Sequence, residues 1–82
     1  MMWNYRLVYC SIPSEEPVSI REIYYDDDDE IETWSAEPES VYGDTREETI
    51  QCYLEMAEAF VKLPLELVEI DGEKKLVPYR GV

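Results

Sequence analysis

Hydrophobic and polar residues alternate near the start of the chain in a pattern that predicts a β-strand. In "WNYRLVY", residues 3–9, every odd position is aromatic or aliphatic, and this period of two is typical of strands. Residues 18–25, "VSIREIYY", are rich in β-branched and aromatic side chains and predict a second strand. Residues 30–36, "EIETWSA", predict a third strand. The two prolines of "SIPSEEP" indicate a turn between the first two strands.

Four consecutive aspartates join the second and third predicted strands. Their position predicts an antiparallel hairpin that turns over Asp26, Asp27, Asp28 and Asp29. The run contains no Asn-Gly or Asp-Gly pair, so the turn type stays open. Aspartate tolerates the left-handed backbone conformation better than most residues, which makes a short turn of aspartates feasible.

A helix is predicted after Gly43. Thr45 is a candidate N-cap, and Glu48 lies three residues later, as in a capping box. The apolar residues that follow at helical spacing form one stripe, which is predicted to pack on the sheet. These residues are Ile50, Tyr53, Leu54, Ala57, Phe60 and Val61, with Cys52, Met56 and Ala59 beside them. Pro64 is expected to end the helix near Leu63.

The Asp71-Gly72 pair lies between two apolar-rich runs, residues 65–70 and 73–77, and is a strong signal for a two-residue hairpin turn. The elements therefore follow the order β-β-β-α-β(-β). We predict an α+β fold in which a small antiparallel sheet carries one amphipathic helix on one face. With 82 residues, the chain is predicted to form a single domain over residues 1–82.

The net charge of the chain excludes more classes of function than the predicted helix and strands do. The chain has 20 Asp and Glu against 7 Lys and Arg, a net charge of −13. The magnitude of net charge suggested for a small soluble domain is roughly 2 to 8. Direct binding to nucleic-acid phosphates or to an anionic membrane depends on Lys and Arg, so both are disfavoured. An acidic surface instead attracts a basic protein. The alternative is that the charge only keeps a structural domain soluble.

Acidic residues are densest between residues 22 and 48, where Arg46 is the sole base. A row of carboxylates can compete for the Arg and Lys side chains with which a protein holds phosphates. Tyrosine is a favoured interface anchor because it combines a large apolar area with a polar tip. The predicted partner-binding residues are therefore Tyr25, Asp26, Asp27, Asp28, Asp29, Glu30, Glu32, Glu37 and Glu39.

A metal site is a weaker interpretation of the same acidic run. Counting Asp26 as the first position of a calcium loop puts Ile31 at the sixth, where such loops need glycine. The chain has no His and no paired Cys motif, which argues against zinc and against the usual catalytic constellations. We therefore predict no enzyme activity, no cofactor and no metal site. A divalent-metal-binding module is kept as an alternative.

The cellular setting is predicted from what the sequence lacks. Cys10 and Cys52 form no motif and are expected to be reduced thiols. No apolar run approaches the roughly 18 residues of a membrane span, and the start "MMWNYR" lacks the features of a signal peptide. A cytoplasmic location is expected. An exposed sheet edge makes a homodimer through strand pairing a further expectation.

Two stretches resemble known families. In "YGDTREETIQCYLEMAEAF", a Gly-Asp-Thr step precedes two glutamates and an amphipathic helix, which resembles the helix start of HicB-type antitoxins. The longer stretch "REIYYDDDDEIETWSAEPESVYGDTREET" resembles a group of short bacterial and phage proteins with a hairpin and a Trp-Ser/Thr-x-x-Pro step, here Trp34, Ser35 and Pro38. Small, very acidic chains also resemble phage-encoded inhibitors, including anti-CRISPR proteins and DNA mimics.

The antitoxin resemblance implies a partial ribonuclease-H-like module that binds and masks a small basic RNA-cleaving toxin. The chain departs from that pattern in lacking an additional DNA-binding segment, and in having Asp28 and Asp29 where related proteins tend to have glycine. We predict a non-enzymatic acidic protein of a bacterial or phage-infected cell. It would bind a basic protein that acts on nucleic acid and inhibit it by masking its nucleic-acid or active-site surface. A toxin nuclease and a host defence effector both stay open as that partner.

Overall fold

The computed structural model describes residues 2–81, and within them the alternating and β-branched segments form five strands. Strands and helices lie in the order β1 (Met2–Cys10), β2 (Val18–Tyr25), β3 (Ile31–Trp34), α1 (Arg46–Met56), a short 3₁₀ helix (Ala57–Phe60), β4 (Leu65–Ile70) and β5 (Glu73–Pro78). The predicted α+β class is confirmed. In the described part of the chain, no helix is both long enough and apolar enough to cross a membrane.

The sheet has the strand order β3-β2-β1-β4-β5. The pairs β1/β2, β2/β3 and β4/β5 are antiparallel, but β4 runs parallel to β1, with Val8 opposite Leu65 and Cys10 opposite Leu67. The predicted antiparallel sheet is therefore wrong, since the sheet is mixed. Parallel neighbours need a long crossover connection, and the helical segment between β3 and β4 returns the chain in the required direction.

Both faces of the central strand β1 bury a side chain. Val8 packs with Ile23, Leu65 and Leu67 on the face opposite α1. On the other face, Tyr5 lies beneath the helical segment, against two of its side chains. The sheet thus separates two small apolar clusters, and its twisted strands place residues of all five strands in or against the first of them.

The side chains of the helical segment that pack on the sheet are the ones predicted to lie beside its apolar stripe. Met56 and Ala59 are buried against Tyr5, and Cys52 packs at their edge. The predicted packing stripe is wrong: five of its members are 46 to 84% exposed. Those five are Ile50, Tyr53, Leu54, Phe60 and Val61. Met56 is the large side chain of this contact, and the small side chains of Ala59 and Cys52 complete it.

The α-helix also ends earlier than predicted, at Met56 rather than near Leu63. The chain then tightens into the 3₁₀ helix, a frequent ending of α-helices. This tightening places Ala59 on Tyr5, and the Glu58 carboxylate accepts the backbone N–H of Tyr5 at 3.3 Å. The N-terminal prediction is confirmed, because Thr45 Oγ1 accepts the N–H of Glu48 at 3.1 Å.

The two-residue turn between β4 and β5 is confirmed. Ile70 pairs with Glu73, so Asp71 and Gly72 alone form the loop. Both have positive φ, 52° and 82°, as the turn that matches the strand twist requires.

Candidate partner-binding surface

The turn between β2 and β3 is held by hydrogen bonds to Asp26. The Asp26 carboxylate accepts the backbone N–H of Asp28 at 2.8 Å and that of Glu30 at 3.0 Å. Its carbonyl accepts the N–H of Asp29 at 3.1 Å, and its own N–H donates to the Glu30 carbonyl at 2.9 Å. Asp29 has a φ of 61°. The bonds describe a three-residue hairpin loop that ends in a left-handed residue, a common hairpin connection.

The acidic run therefore divides into one structural residue and an exposed group. Asp26 is half-buried and organises the turn. The exposed group, here called the acidic turn, consists of Asp27, Asp28, Asp29 and Glu30. Because the backbone beneath them is hydrogen-bonded, these four carboxylates project from an ordered loop and lose less backbone freedom when they bind.

Two other predicted residues, Glu32 and Glu37, lie beside or beyond the acidic turn. Glu32 is exposed on β3, where Tyr24 pairs with Thr33 and Tyr25 with Ile31, so that Glu32 is the extra residue of a bulge. A bulge on an edge strand blocks pairing with another chain and re-aims a side chain. Glu37 is exposed on the loop after β3.

Tyr25 is not grouped with the exposed carboxylates. Its ring packs against the cluster around Ile23 and Val8. Its hydroxyl donates to Asn4 Oδ1 at 2.9 Å and accepts from Arg6 Nη1 at 3.0 Å. The side chain is thus largely committed to the fold, and the structure does not bring it together with the acidic turn.

Glu39 lies near a second carboxylate on the helix side of the sheet. Its backbone N–H donates to the Ile20 carbonyl at 2.9 Å, which fixes the loop against β2. Burial, together with the neighbouring Glu22 carboxylate, raises the pKa of Glu39 above its usual range. The Tyr24 hydroxyl donates to Glu22, and this hydrogen bond raises the pKa of Tyr24. Glu39 therefore keeps its proton to a higher pH than an isolated carboxyl would.

Ion pairing leaves most of the acidic charge uncompensated. Within residues 2–81, the ion pairs are Arg21–Glu15 at 3.0 Å and Lys74–Glu15 at 2.6 Å. Glu15 is thus the one acidic residue of the described chain with a basic side chain within 4.0 Å. All nine predicted partner-binding residues lie outside these pairs. The exposed carboxylates among them, those of the acidic turn and of Glu32 and Glu37, repel one another in the free protein and are open to an external cation.

A buried arginine holds the loops around β2 together, and sequence reasoning missed it. Arg21 is 1% exposed. Its guanidinium donates to Ser19 Oγ at 3.0 Å, to the Ala36 carbonyl at 2.8 Å and to Glu15 Oε1 at 3.0 Å. The hydrogen bonds from Lys74 and Arg21 lower the pKa of Glu15. A serine two residues before an arginine in a strand places both on one face, the signal that could have suggested the contact.

Neither the comparisons with known proteins nor the arrangement of possible metal ligands in the described residues assigns a function to the chain. Among the described residues, no three His, Cys, Asp or Glu side chains are grouped so that they could hold a metal ion. Comparison of the chain with protein-family profiles, curated proteins and solved structures found no significant match.

Proposed function

We propose that this chain is a non-enzymatic acidic protein that binds a basic protein acting on nucleic acid and inhibits it by covering its nucleic-acid or active-site surface. The observation that carries the proposal is the ordered acidic turn, whose four exposed carboxylates have no basic partner within residues 2–81. A fold that keeps like charges this close gives up stability, and an external basic surface would offset that cost.

The geometry supports competition with phosphates. Carboxylates bind Arg guanidinium groups in the same two-point manner as phosphates do, through charge-assisted hydrogen bonds. The Asp26 hydrogen bonds hold the turn in one shape, so its carboxylates project from an ordered backbone. Glu32 and Glu37 add exposed carboxylates on the edge strand β3 and on the loop after it.

Two classes of partner fit this chemistry. The resemblance to HicB-type antitoxins favours a small basic RNA-cleaving toxin, and the resemblance to phage-encoded inhibitors favours a basic defence effector. Both place the chain in the cytoplasm of a bacterial or phage-infected cell. Self-association through a sheet edge would use β5, since the bulge at Glu32 disrupts β3.

A salt and charge experiment tests the proposal. Basic proteins captured from the source cell by the immobilised chain should dissociate steeply between about 50 and 200 mM salt, as phosphate contacts do. Neutralising the acidic turn (Asp27→Asn, Asp28→Asn, Asp29→Asn and Glu30→Gln) should abolish capture. The charge-matched control neutralises four exposed acids elsewhere, with Glu47→Gln, Glu55→Gln, Glu69→Gln and Glu73→Gln.

The captured protein must also lose nucleic-acid binding or cleavage when the chain is added. Capture that survives high salt, or that weakens equally in the turn variant and in its control, would contradict a specific acidic contact. In the second case, the charge would serve solubility or general attraction alone.

A further inference from the structure

A strip of apolar side chains lies open on the helix side of the molecule. It follows three adjoining depressions of about 480, 290 and 430 Å³. The first and second share Ile20 and Phe60, and the second and third share Val41 and Tyr53. These four residues define what is here called the apolar groove, which passes between the helical segment and the loop after β3.

The groove is lined by apolar side chains. They are exposed because other side chains of the helical segment pack on the sheet. Tyr53 and Phe60 belong to the stripe that the sequence predicts as core, and both face solvent because Met56 and Ala59 occupy the sheet contact instead. Exposed apolar side chains that adjoin one another, rather than lying singly, are a feature of interaction sites. Aromatic side chains on such a patch are the typical anchors of an interface.

The charged side chains at the two ends of the groove indicate which kind of segment would bind there. The first depression is bordered by Glu16 and Glu39, and neither is ion-paired within residues 2–81. The third is bordered by Arg46. A second copy of the chain would also have a net charge of −13. The repulsion between two chains of like charge opposes self-association at this surface. A segment with a basic end and an apolar middle is complementary to it.

We propose that the apolar groove receives an amphipathic segment of the basic partner, with apolar side chains over Ile20, Val41, Tyr53 and Phe60 and a Lys or Arg at Glu39. The proposal rests on the proposed function and adds a second, apolar contact to the acidic turn. An amphipathic helix is the form that fits, because its apolar side chains repeat along one face and can enter successive depressions. The segment's basic end lies at Glu39 and its other end at Arg46.

The fold holds Glu39 at that end of the groove. Its backbone N–H donates to the Ile20 carbonyl at 2.9 Å, so the loop that carries Glu39 is fixed against β2. Burial and the neighbouring Glu22 carboxylate raise the pKa of Glu39, and an ammonium or guanidinium group beside it would offset that repulsion. Glu16 and Glu39 would repel an acidic or phosphorylated segment, which gives the groove a preference as well as an affinity.

A designed peptide tests the groove without the natural partner. The probe is a synthetic amphipathic helix of about five turns, with leucines on one face and lysines on the other, titrated into the full chain at about 150 mM salt. The groove variant carries Tyr53→Ser and Phe60→Ser, and the matched control carries Val61→Ser and Leu63→Ser, two exposed apolar residues outside the groove lining. The groove variant should weaken binding by about tenfold or more, and the control should not.

Further measurements separate the outcomes. Glu39→Gln leaves the apolar surface intact and should weaken binding several-fold, so the test holds even if the groove variant folds poorly. Equal affinity of groove variant and control would overturn the groove, as would equal binding of a peptide whose leucines are replaced by serine. A free chain that dimerises in sedimentation, and becomes monomeric with Tyr53→Ser and Phe60→Ser, would assign the groove to a second copy and overturn the proposal.

The natural partner distinguishes the two proposals. If its binding falls in the acidic-turn variant and is unchanged in the groove variant, the proposed function stands and the groove is overturned. If neither variant weakens it, both fail. If both variants bind the natural partner more weakly while both controls bind it as the native chain does, the result supports the two contacts together.

Discussion

At the scale of single residues, Glu15 and Arg21 have roles that their positions along the chain do not reveal. Arg21 lies inside a strand and Glu15 in a proline-containing turn, yet they meet at 3.0 Å and Lys74 joins them from β5. The Arg21 side chain is buried and satisfies backbone carbonyls after β3. Arg21 is buried while Glu15 is half-buried and Lys74 is exposed, so removing Glu15 would leave a buried guanidinium with one acceptor fewer. The network therefore stabilises the segments that it joins.

Stability should depend on pH through Glu15. Its folded pKa lies below the ordinary value of 4.5 because Lys74 and Arg21 hydrogen-bond to the carboxylate. A lowered pKa stabilises the fold above the unfolded pKa, and that stabilisation is lost as pH falls through the folded pKa. The difference in free energy of unfolding between the native chain and Glu15→Gln should therefore be largest near neutrality and shrink below pH 4.5.

Urea denaturation of both chains, repeated from neutral pH into acid, measures this difference. Glu69→Gln serves as the control, because the Glu69 side chain is exposed and forms no ion pair within the described residues. A difference between the native chain and Glu15→Gln that stayed constant across the acid range would refute the linkage.

At the scale of elements, the hairpin turn shows how one residue of a repeated run acquires a distinct task. Four aspartates are chemically identical, but only Asp26 has its carboxylate turned back onto the loop, as aspartate does in Asx turns. Asp29 takes the left-handed conformation, which aspartate tolerates better than most residues. The remaining carboxylates are free for a partner because Asp26 secures the backbone.

Asp26→Ala should destabilise the chain by about 1 kcal/mol, the typical net worth of side-chain hydrogen bonds that hold a turn. Asp27→Ala removes the same charge from an exposed neighbour whose side chain makes no hydrogen bond in the described structure. It should be neutral or slightly stabilising, since it lessens like-charge repulsion. Thermal or urea unfolding of the two variants compares them directly. Equal destabilisation would mean that the Asp26 hydrogen bonds do not hold the turn.

At the scale of the whole molecule, the uncompensated charge opposes the compact state. With a net charge of −13 and ion pairs confined, within residues 2–81, to Glu15, most carboxylates repel their neighbours. Repulsion between exposed charges is screened over about 10 Å at 0.1 M ionic strength. The fold and the proposed contact therefore respond to salt in opposite directions.

Adding salt should raise the free energy of unfolding of the isolated chain while it weakens binding to the basic partner. Urea denaturation in sodium chloride from about 10 mM to 0.5 M measures the first effect, because screening reduces the self-repulsion. The chain with a neutralised acidic turn should gain less from salt than the native chain. A native chain that lost stability over this range would show that attraction, not repulsion, dominates its surface.

Local signals predicted what is local in this protein. The period-two pattern located β1, the β-branched and aromatic run located β2, Thr45 capped α1, and Asp71-Gly72 formed the two-residue turn. Each of these depends on the backbone preferences of a few neighbouring residues. The net charge and the exposure of the acidic turn also followed from composition and from the turn itself.

The tertiary structure decided what depends on distant contacts. The parallel pairing of β1 with β4 requires the crossover to close, which no local propensity encodes. The helix has two adjoining apolar faces, and packing against Tyr5 buried the one with Met56 and Ala59, with Cys52 at its edge. That choice left Tyr53 and Phe60 exposed, so the apolar groove exists because packing, rather than hydrophobicity alone, determined which face was buried.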